Sequence, residues 1–409
     1  MPHRPELRRI LVYTHNSIGL GHAVRTMAVI DGMRAAMPEA EFLVLSGGSA
    51  PQIFLSEFVE TIKLPGLRHD LNAAGQPFLP RYLPSLSRDE VLAWRRQLIA
   101  DSLAAFRPHV VMIEHSLAGL MGEAAPLLAG SRALIHGGHV LVHLSRGIYR
   151  ENPMLLAPAG EYVGLPSPIT VTGLYDALYV LEDRTAVDVN REFFGNDPAL
   201  EERIHYLGRV TAKNLEELQS GETLAAALRL QPPLVLVSLG RHGRVCELHA
   251  QLFNALAALK RLGRYEAGEV LVVLDPYLSR EETAQLKAAP HALPVRRLPF
   301  APGLAEVMAA SDLVVSRAGY NTCNELLVTG RPALVIPETH PSREQERRAQ
   351  GLPREQVRVM TEEQCLGAPL EETLSELLAR PVAAGRHRFD RFCIGRRIVE
   401  DLRRIATAS

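Results

Sequence analysis

The stretch from Asp312 to Leu352, DLVVSRAGYNTCNELLVTGRPALVIPETHPSREQERRAQGL, limits what this chain can fold into more than any other. Asp312 to Ser316 is a short apolar run, fit for a strand buried on both faces of a parallel sheet. Arg317 to Thr322 reads as a turn holding Gly319, and Thr322 to Thr329 has helical spacing. Gly330 and Pro332 stop that helix. Ala333 to Ile336 is the next strand, and a polar helix is predicted from Ser342. A strand, a glycine turn and a helix start bring N–H groups and the helix dipole to one point, which suits an anion. Arg317 adds a positive charge at its mouth. Glu325, one turn into the helix, suits a diol such as a ribose, while Glu344 and Gln345 suit the hydroxyls of a sugar. Each piece has a plainer reading: Thr322-x-x-Glu325 matches a capping box, Arg317 suits a surface ion pair, and Glu344-Gln345 suits a solvated helix. Their order and spacing favour a nucleotide-sugar pocket.

The stretch resembles the donor-binding signature of the MurG-type glycosyltransferases, the GT-B branch that adds N-acetylglucosamine to the lipid-linked cell-wall precursor of bacteria. That family shows a strand, Arg-(Ser/Ala)-Gly, a turn ending in Thr-x-x-Glu, then Gly-x-Pro, a strand ending in Pro, and a Gln-containing loop before Asn-Ala or Arg-Ala. Here these are Arg317-Ala318-Gly319, Tyr320-Asn321-Thr322, Glu325, Gly330-Arg331-Pro332, Pro337, Glu344-Gln345 and Arg348-Ala349. The resemblance implies that Glu325 holds the ribose, Tyr320 to Thr322 the diphosphate and Gln345 the donor sugar. The family often has Gln where this chain has Glu344.

A chain of 409 residues exceeds the usual size of a single core, so two domains are expected. The formal net charge of −1 gives no general attraction to nucleic acid or anionic lipid. Cys246, Cys323, Cys365 and Cys393 are scattered with no CxxC, which fits a reducing cytoplasm and offers no metal site. No apolar run reaches about 18 residues, so no membrane span is expected. Met1 to Arg9 is polar and reads as no secretory signal.

Taken in order, Ile10 to Thr14 is a buried strand followed by His15-Asn16-Ser17-Ile18-Gly19-Leu20-Gly21-His22, a helix from Ala23 to Met37 and a strand from Phe42 to Leu45. This is a Rossmann-like opening without the dinucleotide fingerprint. MurG-type enzymes open with a similar glycine-rich loop ending in Gly-His. Gly19 and Gly21 match it in part. His22 starts a helix at the carboxyl edge of the first strand, where open α/β sheets bind ligands. A metal-free inverting transfer needs a base for the acceptor hydroxyl, and histidine titrates in the right range. His22 is the first candidate, with a structural helix-start histidine as the plainer reading. His15 and Glu114 are the substitutes.

Lys63 to Pro84 and Arg150 to Pro168 read as functional loops rich in proline. Arg88 to Phe106 reads as an amphipathic helix, and Val110 to Ile113 as a strand ending in Glu114-His115. Ala133 to Ile135 is taken as another strand, ending in His136-Gly137-Gly138-His139. These edges suggest an acceptor cleft lined by His115 and His139. Metal binding by His115, His136 and His139 matches no ligand spacing. The second domain opens at Leu234 to Leu239, which ends in Gly240-Arg241-His242-Gly243. Pro299-Phe300-Ala301 lies where the resemblance places the nucleobase, with Phe300 against uracil and Ala301 bonding it through the backbone; core packing is the plainer reading of Phe300. Arg386 to Ile405 is an Arg-rich terminal helix, of the kind that crosses back to the first domain in GT-B proteins.

The expected architecture is α/β, with two Rossmann-like domains facing each other across a cleft: residues 1–210 for the acceptor, 211–385 for the donor, and 386–409 as the returning helix. The expected activity is inverting, metal-independent transfer of a hexose, N-acetylglucosamine or a relative, from a UDP-sugar that serves as co-substrate with no cofactor. Retaining enzymes of this fold usually place a Glu eight residues before the Glu325 position, where this chain has Arg317. The acceptor stays open between a lipid-linked saccharide, a natural product and a small metabolite. A cytoplasmic protein, with peripheral membrane contact still open, is expected. The rivals are a UDP-sugar epimerase of the same fold and a nucleotide-sugar-binding protein with a degenerate catalytic half.

Overall fold

The computed structural model describes residues 7–15, 20–48, 50–69, 78–149, 170–241, 243–265, 268–275, 278–288, 293–298, 303–339, 343–367, 369–383 and 387–407. The chain divides into two compact units, Met1–Ala212 with Asp390–Ser409, and Lys213–Phe389.

In the first unit the described strands are β1 (Arg9–Thr14), β2 (Glu41–Ser46), β3 (Val59–Lys63), β4 (Leu67–His69), β5 (Phe78–Pro80), β6 (Val110–Glu114), β7 (Val140–Ser145), β8 (Ala177–Val180) and β9 (Ile204–Tyr206). β4 and β5 form an antiparallel hairpin inside the first proline-rich loop. The others form a parallel sheet in the order β3-β2-β1-β6-β7-β8-β9. The second unit holds β10 (Leu234–Ser238), β11 (Glu269–Val273), β12 (Val295–Leu298), β13 (Leu313–Ser316), β14 (Ala333–Val335) and β15 (Val357–Val359), ordered β12-β11-β10-β13-β14-β15 and also parallel. Helices on both faces make the central strands apolar along their whole length, as in VVMIE and LVVS.

Both sheets run outward from their first strand and then resume on its other side. The order therefore reverses between β1 and β6, and again between β10 and β13. Chain crossovers leave in opposite directions at such a point, opening a crevice beyond the carboxyl ends of the strands. The helices that matter below are α1 (Gly21–Ala36), α2 (Arg88–Phe106), α3 (Val245–Arg261), α4 (Tyr320–Thr329), α5 (Glu344–Gln350) and α6 (Arg391–Thr407).

The terminal helix α6 is strongly amphipathic and buries Ile394, Ile398, Val399, Leu402 and Ile405. It packs along α1 so closely that a Cβ on Gly395 would lie 1.9 Å from the carbonyl carbon of Gly32. Only glycine on both helices permits that approach. Asp401 accepts from Tyr179 Oη at 2.9 Å, and Arg397 donates to the carbonyl of Tyr206 at 2.9 Å. The helix is thereby part of the first unit.

One expected strand is absent. Residues 133–135 lie in a series of turns, and the strand is β7, VLVHLS, which starts after His139. His143 in the middle of that run disguised it. The ring is fully buried, with Nε2 3.3 Å from the carbonyl of His115 and Nδ1 3.3 Å from Tyr149 Oη. His139 thus sits at the amino end of a strand, the edge opposite the crevice. Its Nε2 is 2.8 Å from the carbonyl of Leu127, and burial pushes its pKa down to about 4. It is a core histidine, not an acceptor-loop residue, and His136 lies exposed in the same turns.

Candidate active site

In the first unit the switch point is framed by Thr14-His15 after β1 and Glu114-His115 at the end of β6. α1 begins beyond β1 with no side-chain cap, so His22 falls in its first turn and Arg25 one turn later. His22 Nδ1 lies 2.8 and 3.0 Å from the two oxygens of Glu114. A carboxylate offers only lone pairs, so Nδ1 carries the proton and donates, which makes Nε2 the accepting nitrogen. Glu114 is wholly buried, and it also accepts from Thr14 Oγ1 at 3.3 Å and from Arg25.

His15 and His115 complete the cluster. The His22 and His115 rings are 4.5 Å apart, and His15 is 6.4 Å from His22 and 5.9 Å from His115. His115 has φ +73°, a left-handed backbone that non-glycine residues seldom adopt away from functional sites. Burial, helped by His22 and Arg146, holds its imidazole well below the usual histidine range, so it stays neutral. An imidazole with one nitrogen fixed by a buried carboxylate is built to take a proton on the other. The four residues His15, His22, Glu114 and His115 are therefore brought together. Gly21 is the first residue of α1, and Gly19 lies outside the described residues.

In the second unit, α4 starts at Tyr320 with Gly319 as its N-cap. The helix thus begins earlier than its spacing suggested. Thr322 sits inside the first turn, not before it, which removes the capping-box reading of Glu325. Glycine here has no side chain to cap the helix, and the helix start follows directly on β13, the place where an anion site would be expected. Glu325 stands one turn on. Its carboxyl makes no hydrogen bond or ion pair among the described residues, and part of its surface stays exposed. Its carboxyl end is nevertheless shut in by protein. Burial first, and Glu306 second, push its pKa up to about 8. Glu306 itself pairs with Lys213 at 2.6 Å.

Three donor-side side chains have protein partners. The guanidinium of Arg317 turns into the protein instead of standing at the mouth. It donates to the carbonyls of Leu239 and Ile336, each at 3.2 Å, and to Glu362 at 2.5 Å. Its charge is spent on clasping the ends of β10 and β14. Glu344 is buried and pairs with Arg348, whose guanidinium lies 5.4 Å from the centre of the Tyr320 ring. Gln345 clips two loops: its Oε1 accepts from Ala318 N at 3.1 Å and Glu338 N at 3.0 Å, and its Nε2 donates to Glu338 at 2.9 Å. Gln345 thereby ties the loop after β13 to the loop after β14.

The glycine loop after β10 is bound to the same clasp. Gly240 has φ +65° and Gly243 φ +78°, and a Cβ on Gly243 would fall 2.1 Å from Glu362 Oε1. The other Glu362 oxygen accepts from the amide of Arg244 at 3.3 Å, just before α3. Arg241 lies half-buried in this loop, while Phe300 and Ala301 lie outside the described residues. Glu362 and Arg25 were missed by sequence reasoning. Arg25 had a signal, since His22-x-x-Arg25 sits on one helix face. Glu362 had none, being far along the chain from Arg317. Among the described residues no group of three or more His, Cys, Asp or Glu is arranged to hold a metal ion, and no helix is long and apolar enough to cross a membrane.

Residues 244–387 match the glycosyltransferase family 28 C-terminal domain. A UDP-N-acetylglucosamine--N-acetylmuramyl-(pentapeptide) pyrophosphoryl-undecaprenol N-acetylglucosamine transferase of Sorangium cellulosum (strain So ce56) is 26% identical over 265 residues, covering 62% of this chain. The chain spans 63% of the length of that relative. Among solved structures, MurG of Acinetobacter baumannii matches with TM-score 0.52 at 14% identity, covering 98% of this chain and all of that one (100%). The UDP-GlcNAc 2-epimerase of Neisseria meningitidis, bound to UDP-GlcNAc, matches with TM-score 0.59 at 14% identity, covering 96% of this chain and 99% of that one. At such identities these likenesses speak for the fold. The chain has the GT-B fold and resembles MurG-type glycosyltransferases, and residues 244–387 of its second unit match the glycosyltransferase family 28 C-terminal domain.

Proposed function

We propose that this protein is a glycosyltransferase that moves a hexose from a UDP-sugar to an acceptor hydroxyl, with inversion and without a metal ion. The observation that carries the reading is Glu325. It is a carboxyl without a protein partner among the described residues, one turn inside a helix that starts beside the switch point. A nucleoside diphosphate suits that arrangement, with phosphate oxygens at the helix start and a ribose diol at the carboxyl. The Sorangium cellulosum relative, a transferase of N-acetylglucosamine from UDP by name, supports the same donor. It also favours a lipid-linked saccharide as acceptor.

In this reading His22 Nε2 takes the acceptor proton while Glu114 holds the ring by Nδ1–H. The acceptor oxygen bonds to the anomeric carbon, the bond from that carbon to the diphosphate breaks, and UDP leaves with the electron pair. Its developing charge meets the amides of Tyr320 to Thr322. Arg317, Glu344 and Gln345 act on this step through the shape of the loops. His15 and His115 border the base.

The test is UDP release from UDP-N-acetylglucosamine, with and without lipid-linked saccharide acceptors, together with analysis of the sugar. Acceptor-dependent release with an inverted product supports transfer. Equilibration with a second UDP-sugar in the absence of acceptor would make the protein an epimerase instead.

A further inference from the structure

The mechanism leaves one buried charge at the site without a role. Arg25 is 2% exposed, lies three residues after His22 on the same helix, and bonds the carboxylate oxygen that His22 also contacts. Its Nη2 is 3.1 Å from His22 Nδ1. A buried carboxylate facing an imidazole alone would draw a proton onto the ring, and a ring already protonated cannot act as a base. A guanidinium never gives up its proton at physiological pH. Placed on the same oxygen, it cancels the charge of Glu114 while leaving the carboxylate free to orient Nδ1–H.

We propose that Arg25 is a positioning residue that neutralises Glu114 and so keeps His22 an uncharged base in the resting protein. This rests on the reading of His22 as the base. Among the described residues the charged and titratable groups around His22 include Glu114 and His115 on β6 and just beyond it, His15 after β1, and Arg25 on its own helix, with Arg146 beyond β7 acting on His115. His115 stays neutral through burial. Among the described residues the resting balance beside His22 is therefore one positive charge, on Arg25, against one negative, on Glu114.

That balance dictates what each substitution does. Arg25→Gln leaves a net negative charge beside the ring, and the His22 titration midpoint rises by about one to three pH units. Glu114→Gln leaves a net positive charge, and the midpoint falls by a similar amount. The double variant restores neutrality and returns the midpoint to within about half a pH unit of the wild type. Arg25→Lys keeps the charge and the midpoint. The midpoint is read by nitrogen-15 NMR of histidine-labelled full-length protein, with UDP titration calorimetry on each variant as a check of the fold.

A His22 midpoint unmoved in Arg25→Gln overturns the proposal, as does one unmoved in Glu114→Gln, which does not require the Arg25 variant to fold. A failure of the base reading looks different. The midpoints then move as stated, yet His22→Ala keeps its turnover of UDP-N-acetylglucosamine.

Discussion

Replacing Arg317 by Met tests the clasp at the donor crevice. Its side chain is 10% exposed and serves two strand-end carbonyls and Glu362, whose own side chain is also 10% exposed. Removing it strands a buried carboxylate and leaves two carbonyls unpaired. Losing one partner of such a pair costs about 3–5 kcal/mol, whereas an exposed pair at a pocket mouth is worth about 0–1 kcal/mol. Urea unfolding of the full chain therefore separates the two placements. The second step is Arg317→Met with Glu362→Leu, which removes both charges and fills the space with apolar groups. Such replacements are often neutral or stabilising, so the double variant should recover most of the loss. Its UDP affinity then shows what the charge does. If Arg317 acts through loop geometry, affinity in the refolded double variant falls by less than about tenfold, about 1.4 kcal/mol. A single variant as stable as the wild type would refute the clasp. A stable double variant that has lost UDP binding altogether would return Arg317 to the diphosphate.

The remaining perturbations probe other parts of the account. Glu325 has a folded pKa of about 8 against an unfolded value of 4.5, so the fold favours its protonated form, and stability falls as pH rises between those values. Glu325→Gln should remove that slope, a gain of about 1–2 kcal/mol at pH 8.5 once partial exposure is discounted; melting curves that stay parallel from pH 5 to 9 would count against it. His22→Ala should cut turnover by about 10²–10⁴-fold while UDP affinity stays within about a factor of two, measured by steady-state kinetics and calorimetry. Gly395→Val forces a side chain into the backbone of Gly32 and should lower stability by about 3 kcal/mol or more in a thermal melt.

Much of the fold was legible because the parallel strands are continuous apolar runs punctuated by glycine, and such runs have few alternatives. VLVHLS escaped because histidine reads as polar until its bonding partners are known. Of the site, the residues at strand ends could be found from order alone: His15, His22, Glu114 and His115 each directly follow or close a strand, or start the helix after one. What order could not show is where a long side chain turns. Arg317, Glu344 and Gln345 sit where a ligand-binding residue would sit, yet each reaches inward to a partner distant in the chain or across a helical turn. Glu362 is the clearest case, since only the folded sheet brings it to Arg317. Glu325 differs from these in lacking a protein partner among the described residues, a distinction invisible in the sequence.

The account stands most directly on a calorimetric titration of the full-length protein with UDP, repeated on Glu325→Ala. It predicts one UDP per chain for the wild type. At pH 9, where the Glu325 carboxyl with its pKa of about 8 is ionised, affinity in the variant falls by about 1.5–3 kcal/mol, the worth of hydrogen bonds to a charged group, or about 10- to 150-fold, and the fold is kept. No UDP binding by the wild type, or unchanged affinity in a folded Glu325→Ala, would contradict it.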